Sequence, residues 1–203
     1  IAYTLSLGDL ASEIVVIDIN KDKVEGEVMD IVQGTSFREP ISVIAGDYAD
    51  AVDSDMVIIT SGIGRKPGQT RLELAQTNVN ILKDVAAAVV PHAPNAIYVI
   101  VSNPVDVLTY VFHKVSGLPA RQIIGSGTIL DTSRLQSELA RRFCISPKNV
   151  HAHVYGEHGD SCFVPWSLAH IANNHIDAYK EVSPDRDPQL SVLCRSTVAL
   201  ALP

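Results

Sequence analysis

Four short runs of almost unbroken β-branched and aliphatic residues constrain this chain more than any other feature. They are Ile14-Val15-Val16-Ile17-Asp18, Ile41-Ser42-Val43-Ile44, Met56-Val57-Ile58-Ile59-Thr60 and Ile97-Tyr98-Val99-Ile100-Val101. A strand with one wet face alternates apolar and polar residues, whereas a run that is apolar throughout suits a strand buried on both faces of a parallel sheet. Helical patterns lie between the runs. Leu72 to Val90 carries apolar residues at helical spacing, and Val105 to Val115 begins directly behind a proline. Strand, helix and strand in repetition predict an α/β fold with a doubly wound parallel sheet. After about Gly125 the pattern changes to one helix, Ile129 to Arg142, and then two antiparallel strands around 150–155 and 163–169. The expectation is a first domain over 1–124 and part of a second, α+β domain over 125–203.

With 203 residues, of which 46% are hydrophobic and 19% charged, the chain suffices for one large or two small cores. No apolar run approaches the ~20 residues of a membrane span, and the first residues lack the order of a secretory signal, so the expected location is cytoplasmic, with no membrane partner. A formal charge of −7 argues against nonspecific nucleic-acid binding, which draws on basic surface. The expected partner is a small molecule. Cys144, Cys162 and Cys194 are odd in number and unevenly spaced, which points to neither a disulfide framework nor a zinc site.

Two clusters carry chemistry. Gly156-Glu157-His158-Gly159-Asp160-Ser161 sets one histidine between glycines and carboxylates, as expected of an imidazole held open for proton transfer. Upstream, Leu130-Asp131-Thr132-Ser133-Arg134 offers a carboxylate to orient that ring and a guanidinium to grip a substrate carboxylate by two parallel hydrogen bonds. Asp131 and Arg134 are neighbours on one helix face, so an ordinary surface ion pair is the plainer alternative. Asp18 closes the first strand, where a carboxylate accepts the hydroxyls of an adenosine ribose and repels a 2′-phosphate, or merely ends a strand. The segment Gly64 to Arg71, with two glycines, a proline and three cations, has the composition of a mobile lid or of a solvated basic loop. Asn103 either donates its amide to a substrate oxygen or caps the helix behind Pro104. His151, His153, His158 and Asp160 lie close enough to weigh as metal ligands, and no metal is expected there.

The runs Val16 to Asn20, Gly64 to Asn78, Val101-Ser102-Asn103-Pro104-Val105-Asp106, Gly125 to Arg134 and Gly156 to Ser161 resemble the L-lactate and malate dehydrogenase family, its lactate branch in particular, over roughly residues 1–185. The resemblance implies a Rossmann-type dinucleotide-binding domain over 1–124, a partial substrate domain over 125–203, and NAD as cofactor. It implies reversible hydride transfer between NADH and a 2-oxo acid, with pyruvate giving L-lactate. In its terms His158 is the proton donor, Asp131 its partner, and Arg71 the cation that closes on the carbonyl. Arg134, Asn103 and Arg65 face the substrate, and Asp18, Gly62, Ser102 and Asn103 face the cofactor. A homo-oligomer, dimer or tetramer, is implied as well.

Two residues depart from the lactate pattern. Arg65 stands where lactate-specific members often carry glutamine and malate-specific members an arginine that pairs with the second carboxylate of oxaloacetate. Against it, Glu157 before His158 resembles the lactate enzymes. His151 matches a histidine that bacterial relatives use with an arginine to bind fructose 1,6-bisphosphate, but Gln136 occupies the arginine's place, so no such activation is expected.

Ile1 to Leu5 reads as the helix that follows a glycine-rich phosphate turn, and that turn and its strand are not in the sequence. Two inner sheet edges are therefore expected to be unpaired. At the other end the resemblance stops near Asp187. A fragment of a longer enzyme is the expectation, with little or no activity and poor folding of the 203-residue chain alone. A non-catalytic remnant is the alternative.

Overall fold

The computed structural model describes residues 1–8, 10–37, 41–64 and 67–178. It opens with a short helix, α1 (Ala2–Leu7), and a strand, β1 (Glu13–Val16). Helix α2 (Lys21–Gln33) follows, capped by Asn20, whose side chain accepts from the backbone N–H of Lys23. Its apolar stripe of Val24, Val28 and Ile31 packs on Val43 of β2 (Ser42–Ala45), which pairs in parallel with β1. This layer has its own small core.

Strand β3 (Met56–Ile59) leads to α3 (Arg71–Val89), β4 (Ile97–Ile100), α4 (Val105–Ser116) and β5 (Ile123–Gly125). The order β3-β4-β5 is parallel throughout. β4 is central and the most buried of the three, with Tyr98 and Ile100 fully enclosed against Leu82, Ala86, Leu108 and Phe112 of the two helices. The Tyr98 hydroxyl donates to the Ala93 carbonyl at 2.9 Å, and burial pushes its phenol above the ordinary value. Gly125 lets β5 approach α4 closely, because a Cβ there would stand 2.5 Å from Thr109 Oγ1.

β1 pairs only with β2, and β3 only with β4, among the described residues. The parallel strands thus form two sheets, and the two unpaired edges anticipated from the sequence belong to β1 and β3.

The second unit starts with α5 (Ile129–Phe143), which buries Leu135, Leu139 and Ala140. Against it lies an antiparallel sheet of three two-residue strands, β6 (Val150–His151), β7 (His170–Ile171) and β8 (Asn174–His175). Instead of the two long strands expected from the sequence, the structure has one short strand at 150–151 and a single bridge between Tyr155 and Phe163. Pro165 and a helical turn at Trp166–Leu168 break the second expected strand, and Val150 and His151 pair instead with Ile171 and His170. No helix among the described residues is long and apolar enough to cross a membrane.

Candidate active site

His158 sits in a loop whose base is the Tyr155–Phe163 bridge, each N–H donating to the other carbonyl at 2.8 and 2.9 Å. Gly156 turns the chain into the loop with φ +93°, a region L side chains rarely adopt. The loop is tied to α5 from above. Thr128 Oγ1 donates to the Val154 carbonyl at 2.6 Å, and Thr132 Oγ1 accepts from the Val154 N–H at 2.9 Å. These bonds set the height of His158 beside the first turn of α5.

There its Nδ1 lies 2.5 Å from Asp131 Oδ2. Asp131 is fully buried and the histidine side chain is 11% exposed, so the pair is shielded from competing water. A carboxylate only accepts, which assigns the Nδ1 hydrogen to the ring and leaves Nε2 as the atom able to exchange a proton with a substrate. Asp131 Oδ1 is buried with no hydrogen bond among the described residues, 3.7 Å from Arg134 Nη1. The Arg134 side chain keeps 32% of its surface exposed. The two residues three apart on α5 therefore differ in role: one is buried under the histidine, the other opens toward solvent.

A second carboxylate holds the loop. Asp106, in the first turn of α4, accepts the backbone N–H of His158 at 2.9 Å across 52 residues of sequence. Asp106 also lines a cavity of about 410 Å³ between α4 and β5, shared with Tyr110 and His113. The sequence reading assigned Asp106 nothing.

Asn78 is the other residue it missed. Only 4% exposed on α3, its amide accepts from the Ile63 N–H at 2.9 Å and donates to the carbonyls of Ile63 and Asn103 at 3.3 and 2.9 Å. It fastens the loop after β3 to the loop after β4. A polar residue on an otherwise core-facing helix stripe was the available signal. Gly62 packs beside this amide, where a Cβ would stand 3.4 Å away.

Asn103 is exposed, and its Oδ1 accepts from the Val105 N–H at 3.3 Å, which leaves the amide N–H groups for another acceptor. Capping and donation thus use different atoms of one side chain. Ser102 is more committed: its hydroxyl donates to the Ser61 carbonyl at 2.7 Å. Asp18 is exposed two residues beyond β1, its carboxylate accepting the Asn20 N–H at 2.9 Å. Arg71 begins α3 and its side chain lies outside the description; Arg65 lies outside the described residues altogether. Gln136 donates to the Ala152 carbonyl at 3.1 Å, pinning α5 to the segment after β6. His153 meets the Tyr155 ring edge-on. Among the described residues no three His, Cys, Asp or Glu side chains are gathered as metal ligands.

Residues 1–125 match the model of the NAD binding domain of lactate/malate dehydrogenase, and 128–199 that of its alpha/beta C-terminal domain. The second match runs past Asp187, where the sequence reading ended the resemblance. The chain is 51% identical over 178 residues to an L-lactate dehydrogenase of Clostridium perfringens, covering 88% of this chain and 56% of the relative. It is also 51% identical over 181 residues to L-lactate dehydrogenase 1 of Clostridium acetobutylicum, covering 89% and 58%. Among solved structures, the minor L-lactate dehydrogenase of Enterococcus mundtii in ligands-bound form superposes with a TM-score of 0.91 at 39% identity, over 98% of this chain and 64% of that one. A lactate dehydrogenase from a Medee basin deep-sea metagenome library gives the same TM-score at 40% identity. The chain spans a little over half the length of the curated relatives it matches.

Proposed function

This chain belongs to the lactate/malate dehydrogenase family, and from that premise we propose that its protein is an NAD-dependent L-lactate dehydrogenase acting on pyruvate and L-lactate. The observation that carries the reading is the 2.5 Å contact between buried Asp131 and His158. It holds one ring nitrogen and frees the other, as a group that alternates between acid and base requires. In the direction of reduction, His158 Nε2 gives its proton to the carbonyl oxygen, and the buried carboxylate stabilises the ring while it is charged. In the reverse direction the ring takes the alcohol proton back.

Arg134 is proposed to grip the substrate carboxylate through its planar fork, with the Asn103 amide directed at a substrate oxygen. Arg71, at the head of α3 and behind the loop from Gly64, is proposed to bring positive charge to the carbonyl oxygen as charge develops there. NAD supplies the hydride acceptor or donor. Asp18 follows β1, Gly62 follows β3, and Ser102 and Asn103 follow β4, each beyond the carboxyl end of a parallel strand, where dinucleotides bind sheets of this kind. The exposed carboxylate of Asp18 fits the ribose hydroxyls of NAD and disfavours a 2′-phosphate. We retain the division at 124 and 125, a cytoplasmic location and a homo-oligomeric complete protein as parts of this proposal.

Oxaloacetate is the second reading, and it rests on Arg65 alone. The test compares kcat/KM for pyruvate and oxaloacetate by NADH oxidation, using the 203-residue chain and the longest reading frame that contains it, with Arg65→Gln and Asp131→Asn variants. Preference for pyruvate is expected, with kcat of Asp131→Asn lowered by roughly 10²–10⁴-fold. A preference for oxaloacetate that collapses in Arg65→Gln would make malate the substrate. No turnover by the longer frame would leave the remnant reading standing.

A further inference from the structure

His158 is held at two points by carboxylates from different units of the chain. Its ring meets Asp131 of α5, with Nδ1 2.5 Å from Oδ2, and its backbone N–H donates to Oδ2 of Asp106 on α4 at 2.9 Å. Other bonds of the loop turn inward. The Gly159 N–H donates to the Glu157 carbonyl at 2.8 Å and the Ser161 hydroxyl to the Glu157 carboxylate at 2.8 Å, and both stay within the loop. With Gly159 directly after the histidine and Gly156 two residues before it, the backbone here sets few limits of its own.

Asp106 belongs to the segment that carries Asn103. Asn103 Oδ1 accepts the Val105 N–H at 3.3 Å, the Asn103 carbonyl accepts the Asn78 amide at 2.9 Å, and the Leu108 N–H donates to the Pro104 carbonyl at 2.9 Å. Val105 and Leu108 are buried, which seats this turn firmly on the first unit. The bond from Asp106 to His158 therefore ties together the two groups assigned to one substrate, the Asn103 amide and the His158 ring. A plainer account makes Asp106 a favourable negative charge in the first turn of α4. That account needs no particular partner, whereas the carboxylate meets one N–H 52 residues away.

We propose that, within the dehydrogenase reading on which this rests, Asp106 is a positioning residue for proton transfer. By accepting the His158 N–H it fixes the imidazole relative to the turn that carries Asn103, and so the distance from Nε2 to the substrate oxygen. Rate is steep in such distances, and a misplacement of about 1 Å costs on the order of a hundredfold. The carboxylate acts as a hydrogen-bond acceptor, a part that the side-chain carbonyl of asparagine can also take. Asp106 is exposed and lines the cavity of about 410 Å³ between α4 and β5, so a smaller side chain there opens no void in a core.

The test uses the longest reading frame that contains this chain, unaltered and as Asp106→Ala, Asp106→Ser and Asp106→Asn, with whichever of pyruvate and oxaloacetate the unaltered protein reduces. Expected is a kcat lowered about tenfold to a hundredfold in Asp106→Ala, with KM for NADH within about twofold, and recovery of most of that loss in Asp106→Asn. Asp106→Ser, whose hydroxyl falls short of the N–H, should behave as alanine does and serves in its place if alanine does not fold. Hydrogen exchange of the His158 amide, followed by NMR without substrate, should quicken about tenfold or more in Asp106→Ala and stay slow in Asp106→Asn. Circular dichroism checks the fold of each variant. An unchanged kcat in Asp106→Ala and Asp106→Ser, a loss in Asp106→Asn as large as theirs, or a His158 amide that exchanges no faster in them would overturn the proposal, and an equal loss in Asp106→Asn would assign Asp106 to helix charge. Absence of turnover by the unaltered protein would overturn the dehydrogenase reading and this proposal with it, a failure told apart from the others because no variant enters it.

Discussion

Asn78 shows how much one buried side chain does for the site. Its amide meets the Ile63 N–H and the Ile63 and Asn103 carbonyls, so one residue of α3 positions two loops at once. Replacing it with alanine takes this partner from three partly buried backbone groups, which costs about 0.5–1.5 kcal/mol. The urea midpoint of Asn78→Ala should fall accordingly, with an unchanged slope; an unmoved midpoint would contradict the assignment. Asp131 belongs to the same scale. Its burial under His158 separates it from an ordinary i, i+3 surface pair, although Arg134 is within 3.7 Å.

Among the elements, α3 begins with a reciprocal cap: Thr70 Oγ1 accepts the Glu73 N–H, and Glu73 Oε2 accepts the Thr70 N–H and hydroxyl. The Thr70 backbone N–H, and then its hydroxyl, hold the Glu73 carboxyl below its ordinary value of 4.5. A carboxylate depressed in the folded state contributes stability above its unfolded value and loses it as pH falls through the folded one. The difference in Tm between the chain and Glu73→Ala should therefore be constant near neutrality and narrow below pH 4.5. A difference that persists to pH 3 would show that the cap acts through something other than charge. Arg71 is the first residue of the helix behind this cap, so the proposed role of Arg71 would depend on it. Helix α5 illustrates a different division, with Leu135 and Leu139 anchoring it to the second core while Asp131 on the same buried face serves the histidine.

Across the molecule, the described residues form three cores. The one beneath β3-β4-β5 encloses Tyr98, Ile100, Leu108 and Phe112 completely, whereas that of β1, β2 and α2 consists of four residues, none below 5% exposure. Among the described residues β1 and β3 share no ladder, so packing of Ile17 and Tyr48 on the larger core, rather than a continuous sheet, holds the smaller layer, which is expected to open first. Hydrogen exchange at pH 7 should replace the amides of β1 and β2 well before those of β4; simultaneous exchange would mean that the two sheets unfold as one.

Four of the five described parallel strands were legible in the sequence to within about two residues, as were α3, α4 and α5, because period and β-branching are local properties that burial then enforces; α2 and the three-residue β5 were not. The sequence also marked His158, Asp131 and Arg134, since residue type and glycine flanks advertise chemistry. Tertiary structure alone decided the rest. The short strands of the second unit depend on pairing across Gly156 and Pro165 rather than on propensity, which is why extended strands were expected there. Asp106 reaches His158 over 52 residues and Asn78 reaches Asn103 over 25. His151, His170 and His175 meet only through strand register. Contacts between residues so far apart leave no periodic trace in a single chain; they are set by how the packed elements bring backbone and side chain within hydrogen-bond reach.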